Sequence, residues 1–112
     1  MLPHPLPDEL IELIARRFRV LSEPIRIRLL DQLRNGEATV NELTETIGSS
    51  QQNVSKHLQL LADAGIVGRR RDGNHVHYRI VDEGVLRLCE DVCGGVQAQL
   101  SELSRLLQTS DA

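Results

Sequence analysis

The stretch from Thr39 to Gly65 leaves the chain little choice of local structure. Thr39-x-x-Glu42 has the spacing of a capping box, in which the N-cap hydroxyl and the glutamate three residues on satisfy each other's backbone N–H groups. Val40, Leu43 and Ile47 then recur at helical spacing, and Gly48 supplies a stop. Ser49 and Ser50 are both candidate N-caps for the next segment, and Ser49-x-x-Gln52 repeats the capping-box spacing. Val54, Leu58, Leu61 and Ala62 form a second apolar stripe, ended by Gly65. Two short capped helices joined by a tight glycine-containing turn make a helix-turn-helix over residues 39–64.

The face opposite the second stripe carries Gln51, Gln52, Asn53, Ser55, Lys56, Gln59 and Asp63. Amide side chains can pair bidentately with adenine in a major groove, and serine and lysine reach base edges or phosphates. On an isolated helix the same residues would read as a solvated surface. The charge distribution weighs against that. The chain carries a net −3 over 112 residues, which taken alone disfavours a nucleic-acid partner. From Ser49 to Val81, however, five cations (Lys56, Arg69, Arg70, Arg71, Arg79) face two acids (Asp63, Asp72), so the window is +3 and the remainder −6. A locally basic surface on an acidic protein is an adequate electrostatic footprint.

Around this centre the rest of the chain falls into order. Residues 1–7 hold three prolines and read as a flexible arm. Asp8 is the expected cap of a helix to about Leu21, with Leu10, Leu13, Ile14 and Phe18 on its apolar face. Ser22 is the expected cap of a second helix. Pro24 is tolerated in its first turn, Ile25, Leu29, Leu30 and Leu33 form its stripe, and Gly36 ends it. Over residues 66–81 the period changes to two: Val76, Tyr78 and Ile80 alternate with His75, His77 and Arg79 after the turn signal Asp72-Gly73. This predicts a two-stranded hairpin with a cationic tip, a wing. A last helix over 83–108 carries Val85, Leu88, Val92, Val96, Leu100, Leu103 and Leu107 as a long seam, interrupted by Gly94-Gly95, which suggests a bend or a close backbone approach. A long apolar seam with little chain left to cover it argues for a dimer.

The length is that of a single domain, residues 1–112, with a modest aliphatic core. No apolar run reaches membrane-spanning length, and the proline-rich start lacks the basic and apolar regions of a secretory leader, so a cytoplasmic location is expected. Two cysteines do not make a disulfide framework. No nucleophile–base set, phosphate loop or paired carboxylates suggest an enzyme.

Leu21-Ser22-Glu23-Pro24-Ile25-Arg26-Ile27-Arg28-Leu29-Leu30 resembles the second-helix motif of the ArsR/SmtB family of bacterial winged-helix repressors. Ser50-Gln51-Gln52-Asn53-Val54-Ser55-Lys56-His57-Leu58, followed by Leu61 and Ala64-Gly65-Ile66-Val67, resembles their recognition helix and its exit. Arg69-Arg70-Arg71-Asp72-Gly73-Asn74 with Val76-His77-Tyr78 resembles their wing. The resemblance spans roughly residues 18–107. It implies a mainly α fold with a small β-hairpin, in the order α1-α2-α3-α4-β-β-α5, and a homodimer formed through α1 and α5. It also implies a double-stranded operator as partner, with Ser49, Ser50, Gln51, Gln52, Asn53, Ser55, Lys56, His57, Arg69, Arg70, Arg71 and Asn74 as DNA-contacting residues. Release by a metal ion or another inducer is the usual control in such proteins.

Two departures bear on that control. Residues 40–55 contain no cysteine, so the family's site at the third and fourth helices is absent. Of its site on the last helix, Asp82 matches one position, while Gly84, Gly95 and Ala98 occupy positions that would need ligands. The remaining candidates are Cys89 and Cys93, which at i, i+4 share one side of a helix and can bind a soft ion such as As(III) or Cd(II) or act as a redox pair. They can equally be small buried hydrophobes. His4 is a candidate ligand for Ni(II) if the N-terminal arm is recruited, or else an exposed side chain. Without an effector site of its own, such a regulator would be controlled through a partner protein.

Overall fold

The computed structural model describes residues 2–110. The elements are α1 (Asp8–Leu21), α2 (Pro24–Leu33), β1 (Ala38–Thr39), α3 (Val40–Ile47), α4 (Gln51–Asp63), β2 (Val67–Asp72), β3 (His75–Ile80) and α5 (Glu83–Ser110). They form two compact units, the residues through Asp82 and α5 on its own.

In the first unit the apolar stripes of α2, α3 and α4 converge, whereas Leu13 and Phe18 of the α1 stripe are exposed. Leu29, Val54, Leu58, Leu61 and Ile66 have no exposed surface, and Leu30, Leu33, Leu43, Val67 and Tyr78 are buried around them. A truncation such as Leu58→Ala in such a core costs about 2–5 kcal/mol. The turn into the wing is fixed by the helix end. Gly65, at φ +77°, lets its own N–H reach Ala62 O and the Ile66 N–H reach Leu61 O, both at 3.0 Å, the paired bonds of a Schellman cap. The α3 capping box is present as expected: Glu42 N donates to Thr39 Oγ1 and Thr39 N donates to Glu42 Oε1.

Several local expectations are corrected. The sheet has three antiparallel strands in the order β1-β3-β2, not two; β1 pairs Ala38 with Tyr78 and Thr39 with His77. A two-residue strand is too short to show a period, so the sequence could not mark it. Asp8 is the first residue inside α1, whose N-cap is Pro7, and there its charge favours the positive end of the helix dipole. Ser22 closes α1, donating from Oγ to Arg19 O, while Glu23 precedes Pro24 as the N-cap of α2. Gly36 lies two residues beyond the C-cap Arg34. The wing turn has Gly73-Asn74 as its two central residues, because Asp72 pairs with His75. Its one positive φ, at Gly73, is the pattern of a type II′ turn.

The second unit is one uninterrupted helix. Gly94 and Gly95 neither break it nor make a close approach, since a Cβ at either would meet nothing within 4 Å. Val92, Val96, Leu100, Leu103 and Leu107 are all exposed along it.

Candidate nucleic-acid interface

The start of α4 is built by three side chains. Ser50, not Ser49, is the N-cap: its Oγ accepts from Asn53 N at 3.1 Å. Ser49 Oγ instead accepts from Asn53 Nδ2 at 2.9 Å. Ser49, Ser50 and Asn53 thus hold one another, and Asn53 is half-buried. Gln51, Gln52 and Lys56 are exposed on the same two turns, with Ser55 half-buried beside them, while Val54, Leu58 and Leu61 anchor the opposite side in the core. The freely presented amides are therefore Gln51 and Gln52.

His57 is tied inward. Arg26 Nε donates to its Nδ1 at 3.0 Å, and Arg26 Nη1 donates to Val20 O at 2.9 Å. Burial pushes the His57 pKa below its ordinary value of 6.5, and the nearby charges of Arg26 and Lys56 push the same way against Glu23. The imidazole is accordingly neutral near pH 7, with Nδ1 accepting and Nε2–H left to donate.

The three wing arginines divide by strand alternation. Arg69 Nη1 donates to Gln59 Oε1 at 2.8 Å, and Gln59 Nε2 donates to Asp63 Oδ1 at 2.8 Å, so the wing is fastened to α4. Arg70 turns to the other face, onto Glu37 with Asp72 nearby. Its hydrogen bond and charge hold the Glu37 carboxyl below the usual carboxylate range. Arg71 is exposed and makes no side-chain hydrogen bond or ion pair with the described residues, and Asn74 is exposed at the turn. Of the other wing groups, His75 is exposed, and His77 is half-buried with Nδ1 3.5 Å from Glu37 Oε1.

The candidate effector residues lie elsewhere. Cys89 is half-buried and Cys93 exposed on α5, both free thiols. Burial, with a smaller contribution from Glu90, pushes the Cys89 thiol up, so its thiolate is disfavoured. His4 is exposed. Among the described residues no three His, Cys, Asp or Glu side chains gather as a metal site. Asp82 accepts from Arg17 Nη1 at 2.7 Å. The described donors therefore make no zinc-type site within one copy; Cys89 and Cys93 together offer two thiols, to which a thiophilic ion would have to add further donors.

Arg26, Glu37 and Gln59 were not among the expected site residues. Arg26 and His57 are 31 positions apart, and Arg70 and Glu37 33, so no local spacing links them.

A buried helix-turn-helix whose second helix presents amides beside a cationic hairpin defines a winged-helix protein of the nucleic-acid-binding class. A family model described as a helix-turn-helix domain matches residues 21–70. The HTH-type transcriptional regulator KmtR of Mycobacterium tuberculosis is 40% identical over 89 residues, which are 80% of this chain and 68% of KmtR. The solution structure of the homodimeric winged helix-turn-helix DNA-binding domain of Mb0332 from Mycobacterium bovis, a possible ArsR-family transcriptional regulator, is 32% identical. It superposes with a TM-score of 0.73, covering 80% of this chain and 82% of that one. The crystal structure of the AntR antimony-specific transcriptional repressor is 38% identical with a TM-score of 0.69, covering 89% and 88%. The chain belongs to the ArsR/SmtB family of winged helix-turn-helix transcriptional regulators. These relatives are regulators, not enzymes.

Proposed function

We propose that this regulator is a homodimeric repressor that reads an inverted-repeat operator with the N-terminal half of α4. The observation that carries this is the two-sidedness of that helix: Val54, Leu58 and Leu61 are fully buried while Gln51, Gln52 and Lys56 are exposed. In this reading Gln51, Gln52 and Ser55 meet base edges. Lys56 and the Nε2–H of His57 meet the backbone, and Ser49, Ser50 and Asn53 hold the start of the helix in register. Arg71 and Asn74 meet flanking phosphates from the wing. Dimerisation uses the exposed stripe of α5 and the apolar residues of α1, as the homodimeric Mb0332 domain and the exposed Ile11, Leu13 and Phe18 support. The site of action is the cytoplasm; no helix among the described residues is long and apolar enough to cross a membrane.

The proposed effector is a thiophilic ion, As(III) or Cd(II), held by Cys89 and Cys93 with donors from the second copy. The i, i+4 thiols and the likeness to an antimony-specific repressor support it. Ni(II) through His4 lacks such support, because His4 is a single exposed donor before α1, with no second histidine or thiol at helical spacing.

Selection from randomised duplexes tests the central claim. It should return an inverted repeat with half-site centres about one helical turn, ~10 bp, apart. Recovery of a single unrepeated half-site, or of no sequence at all, would refute it.

A further inference from the structure

The outer face of the wing sheet gathers basic side chains. Arg70 pairs across from His77, and His75, His77 and Arg79 alternate with Val76, Tyr78 and Ile80. Two carboxylates stand among them, Asp72 with Oδ2 3.8 Å from Arg70 Nη1, and Glu37 in direct hydrogen bond. Glu37 immediately precedes the Ala38–Tyr78 pair, and Arg70 reaches both of its oxygens, Nη2 to Oε1 at 2.5 Å and Nε to Oε2 at 3.4 Å. His77 Nδ1 lies 3.5 Å from the same Oε1. A guanidinium fork closed on two carboxylate oxygens is the geometry with which arginine takes a phosphate. A phosphate taking Arg70 by this Nε–Nη2 edge must therefore displace Glu37. Both side chains are partly exposed, so the pair contributes little to stability, and its occupancy of Arg70 bears chiefly on binding.

We propose that Glu37 is a specificity-determining residue, an internal stand-in for phosphate that keeps Arg70 out of non-specific contact with the DNA backbone. The inference rests on the DNA-binding reading above. Binding to arbitrary sequence is governed by the number of phosphates neutralised, each contributing about 0.9 to the slope of log affinity against log salt. Arg71 has no protein partner among the described residues and is free to contribute; Arg70 is withheld. Where the operator complex is held by base contacts and does not use Arg70, the ratio of operator to non-specific affinity rises accordingly.

The test is a fluorescence-anisotropy titration of the full chain with a labelled random-sequence duplex over a salt series. Glu37→Gln keeps the shape and removes the charge. It should bind tighter than the parent, with a slope steeper by about 0.9. In the Glu37→Gln/Arg70→Ala variant the slope should return to that of Arg70→Ala, and Glu45→Gln, an exposed acid on α3, should keep the parent slope. Circular dichroism melting establishes that each variant is folded. An unchanged slope in Glu37→Gln overturns the proposal, as does a double variant still steeper than Arg70→Ala, or an equal steepening in Glu45→Gln. A parent chain that binds no duplex at all overturns the DNA-binding reading itself, and this inference with it.

Discussion

Arg26 Nε donates to His57 Nδ1 while its Nη1 holds Val20 O, so one guanidinium joins the end of α1 to the middle of α4. The bond requires a neutral imidazole, and burial, reinforced by Arg26 and Lys56 against Glu23, keeps it neutral by lowering the folded pKa. Above the ordinary value of 6.5 both folded and unfolded states are uncharged and the contribution is complete. On acidification the unfolded chain takes up its proton first, so stability falls as pH drops from 6.5 through the lower folded value. Melting temperatures across about pH 5 to 8 should therefore decline more steeply toward acid in the parent than in His57→Gln, which keeps an acceptor and loses the titration. Equal declines would sink the assignment. Arg26→Ala strands both acceptors and should cost about 1–3 kcal/mol at neutral pH.

On the proposed reading, base contact and helix framing fall to different residues of α4, and two variants should show it. Gln52 is exposed with no protein partner among the described residues, so Gln52→Ala should leave the melting temperature unchanged and relax preference at one base position by about 1–3 kcal/mol. Asn53 is engaged with Ser49, so Asn53→Ala should lower stability by about 0.5–1.5 kcal/mol and weaken every operator variant alike. Denaturation alongside binding to a set of single-base operator variants gives both readings. If Asn53→Ala were as stable as the parent and base-selective, the two roles would have to be exchanged.

The parts of the fold legible in the sequence are those set by local rules. The Thr39–Glu42 box, the Gly48 and Gly65 stops and the burial of Val54, Leu58 and Leu61 all follow from spacing within a few residues, and each stands where expected. The differences cluster at helix ends, where Pro7 caps in place of Asp8 and where the choice between Ser49 and Ser50 was left open; one residue of backbone geometry decides. The candidate site was legible as composition, an amide-rich helix beside an arginine run. Which arginine is available was not legible. That depends on Gln59 reaching Arg69 from α4 and Glu37 reaching Arg70 across the sheet, tertiary facts that three consecutive arginines cannot reveal. Gly68 was likewise silent, although a Cβ there would lie 2.9 Å from Val81 Cγ1.

Dimerisation should be visible directly. Light scattering at micromolar concentration is expected to give about twice the 12.5 kDa chain mass. Leu100 and Leu103 are exposed on the α5 stripe, and burying each against a second copy is worth about 1.5–3 kcal/mol. Leu100→Glu with Leu103→Glu should shift the protein to monomer and lower operator affinity, while melting of the first unit persists. A parent that remains monomeric yet binds a palindromic operator tightly would rule this assembly out.

The proposed effector site rests on Cys89 and Cys93. A ligand can release DNA only by binding one dimer geometry better than the other, and a hundredfold loss of operator affinity needs about 2.8 kcal/mol of such preference. Metal–thiolate bonding can supply it. Because burial raises the Cys89 pKa, binding must expel a proton from that thiol, and apparent ion affinity should increase as pH rises toward the ordinary thiol value of 9.0. Operator binding should therefore weaken on titration with As(III) or Cd(II), more sharply at higher pH, and Cys89→Ser/Cys93→Ser should abolish the response. Ni(II) and peroxide serve as the contrasting additions, the first addressing His4 and the second thiol oxidation. Should the double variant respond to As(III) or Cd(II) as the parent does, the two cysteines are packing residues of α5 and the sensing chemistry lies on other side chains.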